Sequence, residues 1–241
     1  MPRIGTIFFD AGNTLFDLKE AGLSPERVRG KIYADVARRY GNDVSDDEMT
    51  KHMTEIVRAM PQRIDGAYRY SVKWFRIFID RLFERLGGVS DARLATQELF
   101  TYFRDDGNFF VFDDVSPVLE ELRKRGYRMG IISNWSPTLP MVLYNLGLLE
   151  FFKCVVVSAT VELEKPGKAI FDKALECTGA APGMALHVGD SFKHDYQGAG
   201  DAGLKALLLD RPGDSPHADE VGDDRIRSLT ELSGILAHAA E

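Results

Sequence analysis

The stretch from Ile4 to Leu15 constrains this chain more than any other. An apolar run, Ile4-Gly5-Thr6-Ile7-Phe8-Phe9, ends abruptly on Asp10 and passes into the small residues Ala11-Gly12-Asn13-Thr14. Such a run, closed by turn formers, reads as a buried strand. In an open α/β sheet the carboxyl end of a strand is where reactive side chains reach a crevice. Asp10 is therefore the first candidate for chemistry, set against the plainer roles of a strand-end Asp as turn former or helix cap.

After Leu15 the periodicity changes. Residues 18–112 carry helical signals and no clear strand. Ser24-Pro25 has the form of an N-cap followed by a first-turn proline, and Ser45-Asp46-Asp47-Glu48 has capping-box spacing ahead of Met49, Met53 and Val57. A third helix is expected over 68–86, where Val72, Phe75, Ile79, Leu82 and Phe83 recur at helical spacing before Gly87-Gly88, and a fourth over 91–103. Four helices set between the first strand and the rest make a separable bundle. From Phe112 onward strands and helices alternate. Helices are expected from Ser116-Pro117 (Val118, Leu119 and Leu122 inward), from Ser136-Pro137, and over 166–177; strands are expected over 127–132, 154–158, 184–188 and 204–209. Five strands joined by helices call for a parallel sheet covered on both faces. Residues 211–224, rich in Pro, Gly and Asp, read as a loop before a last helix over 229–239. The expected architecture is thus α/β: a Rossmann-like core of residues 1–17 and 112–241 with an inserted helical domain, 18–111.

Three later stretches match the Asp10 turn in order: Gly130-Ile131-Ile132-Ser133-Asn134, Glu164-Lys165-Pro166, and His187-Val188-Gly189-Asp190-Ser191-Phe192-Lys193-His194-Asp195. Together the four resemble the motifs of the haloacid dehalogenase superfamily, whose members are mostly phosphatases using an aspartate nucleophile and magnesium. The resemblance implies that Asp10 is the nucleophile, that Asp10, Asp190 and the Gly12 carbonyl hold Mg2+, and that Asp195 orients a metal water or Lys165. It also implies that Lys165 neutralises the anionic intermediate, that Thr14, Ser133 and the Asn134 amide hold phosphate, and that the helical insert is a cap carrying much of the substrate choice. The chemistry is coherent: a carboxylate attacking a phosphoryl group needs positive charge nearby, and magnesium takes hard oxygen ligands.

One position departs from the phosphatase pattern. Two residues after the nucleophile most of these enzymes carry a second Asp, the acid/base group, and here Gly12 stands. Ester hydrolysis can be kept if His194, Asp17, Lys73 or Tyr70 takes over that role. The 2-haloacid dehalogenases also lack this Asp but need no magnesium, and phosphonate hydrolysis would employ a cap lysine, for which Lys73 is the candidate. A phosphate-ligand sensor or interaction module is the non-enzymatic alternative.

Composition narrows the setting. With 241 residues, 44% of them hydrophobic, the chain can bury a sizeable core. A formal charge of −7 argues against general attraction to nucleic acid. The two cysteines, Cys154 in an apolar run and Cys177 on a helical pattern, read as core residues rather than a disulfide. Met1-Pro2-Arg3 leads straight into a strand, and no apolar segment is long enough to span a bilayer. The expectation is a cytoplasmic protein with a small-molecule partner and no membrane contact.

Overall fold

A computed structural model of the protein describes residues 4–19 and 24–238. Met1, Pro2 and Arg3, and Ala239 at the expected end of the last helix, lie outside the described residues. The first half of the chain forms β1 (Thr6–Phe9), β2 (Phe16–Leu18), α1 (Pro25–Arg39), α2 (Asp46–Ala59), β3 (Arg63–Ile64), β4 (Ala67–Tyr68), α3 (Val72–Arg85), α4 (Ala92–Tyr102) and β5 (Phe109–Val111). The second forms α5 (Val115–Lys124), β6 (Arg128–Ser133), α6 (Leu139–Asn145), β7 (Cys154–Val157), α7 (Ser158–Val161) and α8 (Lys168–Thr178). It ends with β8 (Ala185–Gly189), α9 (Gly198–Asp201), β9 (Lys205–Leu209), α10 (Ala218–Val221), β10 (Arg225–Ile226) and α11 (Leu232–His238).

Two compact units result: Met1–Asp17, Val111–Trp135 and Leu139–Glu241 make one, Leu18–Phe110 with Ser136–Thr138 the other. The first is built on a six-stranded sheet of order β10-β9-β8-β1-β6-β7. Every pairing in it is parallel. All four residues of β1 are buried, as befits a central strand covered on both faces. Against one face α8 and α9 bring Ile170, Phe171, Ala174, Leu175 and Ala199, with Ala202 just after α9, onto Phe8, Ile132 and Val156. The amphipathic α5 buries Val118, Leu119 and Leu122 as its spacing requires.

Four expectations are corrected here. The sheet has a sixth strand, β10, whose two residues are too few to show a period, and the segment read as a loop contains the single turn of α10. The helices expected from Ser136 and Pro166 start later, at Leu139 and Lys168. Cys154 and Cys177 form a disulfide, with Cα atoms 6.2 Å apart. Cys154 is buried on β7, but Cys177 lies on the exposed side of α8. Because α8 packs across β7, residues 23 apart in sequence meet.

The second unit packs α1 against α2 and α4, and α3 against α2 and α4. Three of its helices begin on side-chain caps: Ser45 accepts from the Glu48 amide, Ser71 from Trp74 and Asp91 from Leu94. On α3 the buried set is Trp74, Phe78, Ile79, Leu82 and Phe83, so Val72 and Phe75, expected inward, are not core. The unit also holds a strand pair that helical periodicity hid: β3 and β4 pair antiparallel around Asp65-Gly66, both at positive φ. Among the described residues no helix is long and apolar enough to cross a membrane.

Candidate active site

The chain leaves β1 for β6 on one side and returns to β8 on the other, which makes the carboxyl end of β1 a topological switch point. Phe9 is level with Ile131 of β6 and Val188 of β8. The next residues of all three strands therefore emerge at one edge, and the Asp10 amide continues the ladder by donating to the Val188 carbonyl. Asp10, Ser133-Asn134 and Asp190 are brought together in this way, and Asp10, Asp190 and Asp195 each offer a carboxylate oxygen within 4.8 Å of one another.

Lys165 ties the group together. Its side chain is almost fully buried, and Nζ donates to Asp10 Oδ1 at 2.7 Å and to Asp195 Oδ1 at 2.5 Å. The Asn134 side chain holds the lysine in place: Oδ1 accepts from the Lys165 amide (2.8 Å) and Nδ2 donates to its carbonyl (3.0 Å). Asn134 was expected to contribute only its backbone amide, so this clamp is an addition. Asp195 is buried and spends both oxygens on protein donors. Oδ1 also meets His187 Nε2 at 2.9 Å, and Oδ2 accepts from the Ser191 amide at 3.0 Å. That geometry fits orienting Lys165 better than ligating a metal. Gly189 is small for the same reason: a Cβ there would lie 2.3 Å from the Asp195 carboxyl carbon.

The charges are unevenly resolved. Burial alone would lower the Lys165 pKa, but Asp10 and Asp195 outweigh it and keep the ammonium protonated. Burial would raise the Asp195 pKa, but Lys165 and His187 hold it well below the usual carboxylate range. At Asp190 the balance is reversed: burial, and then the charges of Asp10 and Asp195, outweigh Lys165 and the Asn13 hydrogen bond and push its carboxyl up to about 7. Asn13 Nδ2 donates to Asp190 Oδ2 at 3.2 Å. Asp10 Oδ2 and Asp190 Oδ1 have no donor among the described residues. Two free hard oxygens beside an anion excess that one lysine does not cancel are a donor set suited to magnesium.

Other expected residues fall differently. Thr14 Oγ1 is fully enclosed and has no hydrogen-bond partner among the described residues, so it is not open to a ligand; the Thr14 carbonyl instead accepts from Arg211 Nη2 at 2.7 Å. His194 lies in the π-helical segment Phe192–Gln197 with Asp195, its Nδ1 3.0 Å from Ser191 Oγ, and burial outweighs Asp195 to lower its pKa. Lys73 donates to the Asp65 carbonyl at 2.6 Å, and Tyr70 packs on Trp74 and Phe75. Three residues were missed: His187, the clamping side chain of Asn134, and Trp135. A Cβ built on Gly12 would lie 2.9 Å from Cζ3 of Trp135. His187 alone had a signal, as a histidine inside a buried strand.

Comparison with known proteins agrees with this geometry. Residues 4–203 match the haloacid dehalogenase-like hydrolases. The chain is 32% identical over 230 residues to haloacid dehalogenase-like hydrolase domain-containing protein 3 of Mus musculus, covering 92% of this chain and 90% of that protein. It is 26% identical to a glyceraldehyde 3-phosphate phosphatase of Methanopyrus kandleri, over 99% of both chains. Among solved structures, a 2-haloacid dehalogenase from Pseudomonas syringae pv. Tomato DC3000 superposes with a TM-score of 0.69 at 26% identity, again over 99% of each. With the family match running from the start of the first strand to Gly203 and taking in all four motif stretches, the chain belongs to the haloacid dehalogenase-like hydrolases.

Proposed function

We propose that this hydrolase is a magnesium-dependent phosphatase of a small phosphorylated metabolite, working through a phosphorylated Asp10. The observation that carries the reading is the state of the Asp10 carboxylate, with Oδ1 held by a buried, protonated lysine and Oδ2 without a donor among the described residues. Oδ2 attacks phosphorus, and the bond to the ester oxygen breaks with its electron pair on that oxygen. Water then attacks the same phosphorus, releasing phosphate and restoring Asp10. Lys165 keeps its proton throughout and offsets charge on the phosphoryl oxygens, while the Ser133 hydroxyl and Asn134 amide at the end of β6 hold them. Asp10, Asp190 and the Gly12 carbonyl are the proposed magnesium ligands, and Asp195 positions Lys165. Bound there, magnesium would screen the attacking carboxylate from the phosphate and polarise the phosphoryl group. The name of the M. kandleri relative supports a small phosphorylated substrate. A cytoplasmic setting belongs to the same proposal, although a disulfide such as Cys154–Cys177 is uncommon in a reducing thiol pool.

Asp190 provides the direct test. Without metal its carboxyl holds a proton below about 7, and a cation must displace that proton. Magnesium affinity measured by calorimetry should therefore strengthen as pH rises towards this value and level off above it. Asp190→Asn should weaken binding at least about tenfold and flatten the pH dependence. Equal affinity and equal pH dependence in the two proteins would remove Asp190 from the metal site.

Halide displacement is the second reading, favoured by the absence of a side chain at Gly12, since halide leaves without a proton. Chloride release from 2-chloropropionate in the presence of chelator would make it the better one.

A further inference from the structure

Gly12 and Trp135 meet at a distance that no side chain at position 12 could share. The Cβ that any other residue would carry falls 2.9 Å from Cζ3 of the indole and 3.7 Å from Cη2. Gly12 is not at positive φ, so the backbone would accept a side chain; the ring is what excludes it. Nor is the ring a loose end. The Trp135 amide donates to Ser158 Oγ at 3.1 Å, its carbonyl accepts from Ser158 Oγ and from the Ala159 amide, both at 3.3 Å, and the indole sits edge-to-face on the buried Phe16 with centroids 5.7 Å apart. Phe16 in turn is bridged to Gly12, and its carbonyl accepts from the Asn13 amide. The ring is thus locked to the same turn it crowds.

We infer that Gly12 and Trp135 form one specificity-determining unit, in which an indole fills the space of a proton-donating side chain, and that the substrate is a phosphate whose leaving oxygen departs unprotonated. This inference rests on the phosphatase reading above. When Asp10 displaces an alkoxide, the departing oxygen is about as basic as hydroxide and needs a proton in the transition state; a positioned acid contributes on the order of 10²–10⁴ in rate. A carboxylate, enolate or phenolate oxygen carries the electron pair of the broken phosphorus–oxygen bond without one. Indole carbon next to the Asp10 turn supplies no proton, so the chemical class that suits the site is an acyl, enol or aryl phosphate rather than a sugar or other alkyl phosphate. In the second step water adds to phosphorus, its proton leaves with the phosphate as dihydrogen phosphate, and Asp10 regains its carboxylate.

The test is a series of aryl phosphates of graded phenol acidity, with acetyl phosphate at one end and glycerol phosphate at the other, turned over at saturating magnesium. The expected result is a steep fall of kcat/KM as the leaving group becomes more basic, with the alkyl ester slower by on the order of 10²–10⁴ than an ester of comparable binding. Turnover that is flat across the series would overturn the inference alone, because another group would then be delivering the proton. Failure to hydrolyse any member, acetyl phosphate included, would overturn the phosphatase reading and this inference with it. A paired comparison locates the cause. Gly12→Asp alone should not speed the alkyl ester, since its Cβ meets the ring, whereas Gly12→Asp with Trp135→Ala should raise it on the order of tenfold or more and flatten the series. An unchanged slope in a double variant whose circular dichroism matches the parent's would show that the ring does not hold that place.

Discussion

Asp10→Asn is expected to reduce phosphate release by a factor on the order of 10⁴ or more, the scale on which removing a covalent nucleophile acts, while the protein stays folded. The amide keeps the shape of the carboxylate but has neither the charge to attack phosphorus nor the chemistry to form an acyl phosphate. The fold should tolerate it because the lysine that loses Asp10 still has Asp195 at 2.5 Å. A second effect follows at Asp190. Asp10 is one of the two charges that, after burial, raise its carboxyl, so Asp10→Asn should let that carboxyl ionise at lower pH. Three measurements read the prediction: phosphate release under saturating magnesium, thermal unfolding, and intact mass after rapid quench. The parent should show the added phosphoryl group during turnover of an aryl phosphate and the variant none. A variant that keeps the adduct would place the nucleophile elsewhere.

Much of this site was legible because its parts are strand ends. Apolar runs stopping at Asp10, Ser133 and Asp190 announce where β1, β6 and β8 finish, and parallel topology then sets those ends side by side. What stayed hidden is contact between residues distant in sequence. Nothing in Ser133-Asn134-Trp135 says that the amide side chain will clamp the backbone of Lys165, 31 residues on, or that the indole will lie against Gly12. The approach of Trp135 depends on Phe16 and Ser158, which carry no motif of their own. The disulfide escaped for a similar reason: strand and helix patterns place Cys154 and Cys177 correctly on their elements, but only the packing of α8 over β7 brings them together. The hairpin of β3 and β4 is a different case. Asp65-Gly66 is a strong two-residue turn signal, yet its flanking strands are two residues each, too short to interrupt the helical periodicity around them.

Lys165→Met should be the most destabilising single change at the site, by about 3–5 kcal/mol at neutral pH, the range for removing one partner of a buried ion pair. Met has nearly the length of the lysine stem and leaves little cavity, so the loss is mainly electrostatic: Asp195, with its side chain 1% exposed, keeps His187 but loses its ammonium. The pH dependence separates this cause from packing. In the parent the Asp195 pKa is depressed, so its contribution to stability is present above the unfolded carboxylate pKa of about 3.9 and is lost as pH falls below it. In the variant burial is no longer offset by lysine, the folded pKa rises above the unfolded one, and stability instead falls as pH rises through that interval. The gap between parent and variant should accordingly be widest near neutrality and narrow on acidification. Urea unfolding at neutral pH and at mildly acidic pH measures it, and Lys165→Met with Asp195→Asn, which removes the unpaired charge, should recover part of the loss. An equal deficit at both pH values, with no recovery in the double variant, would mean that Lys165 supports the fold through its methylene stem rather than through its charge.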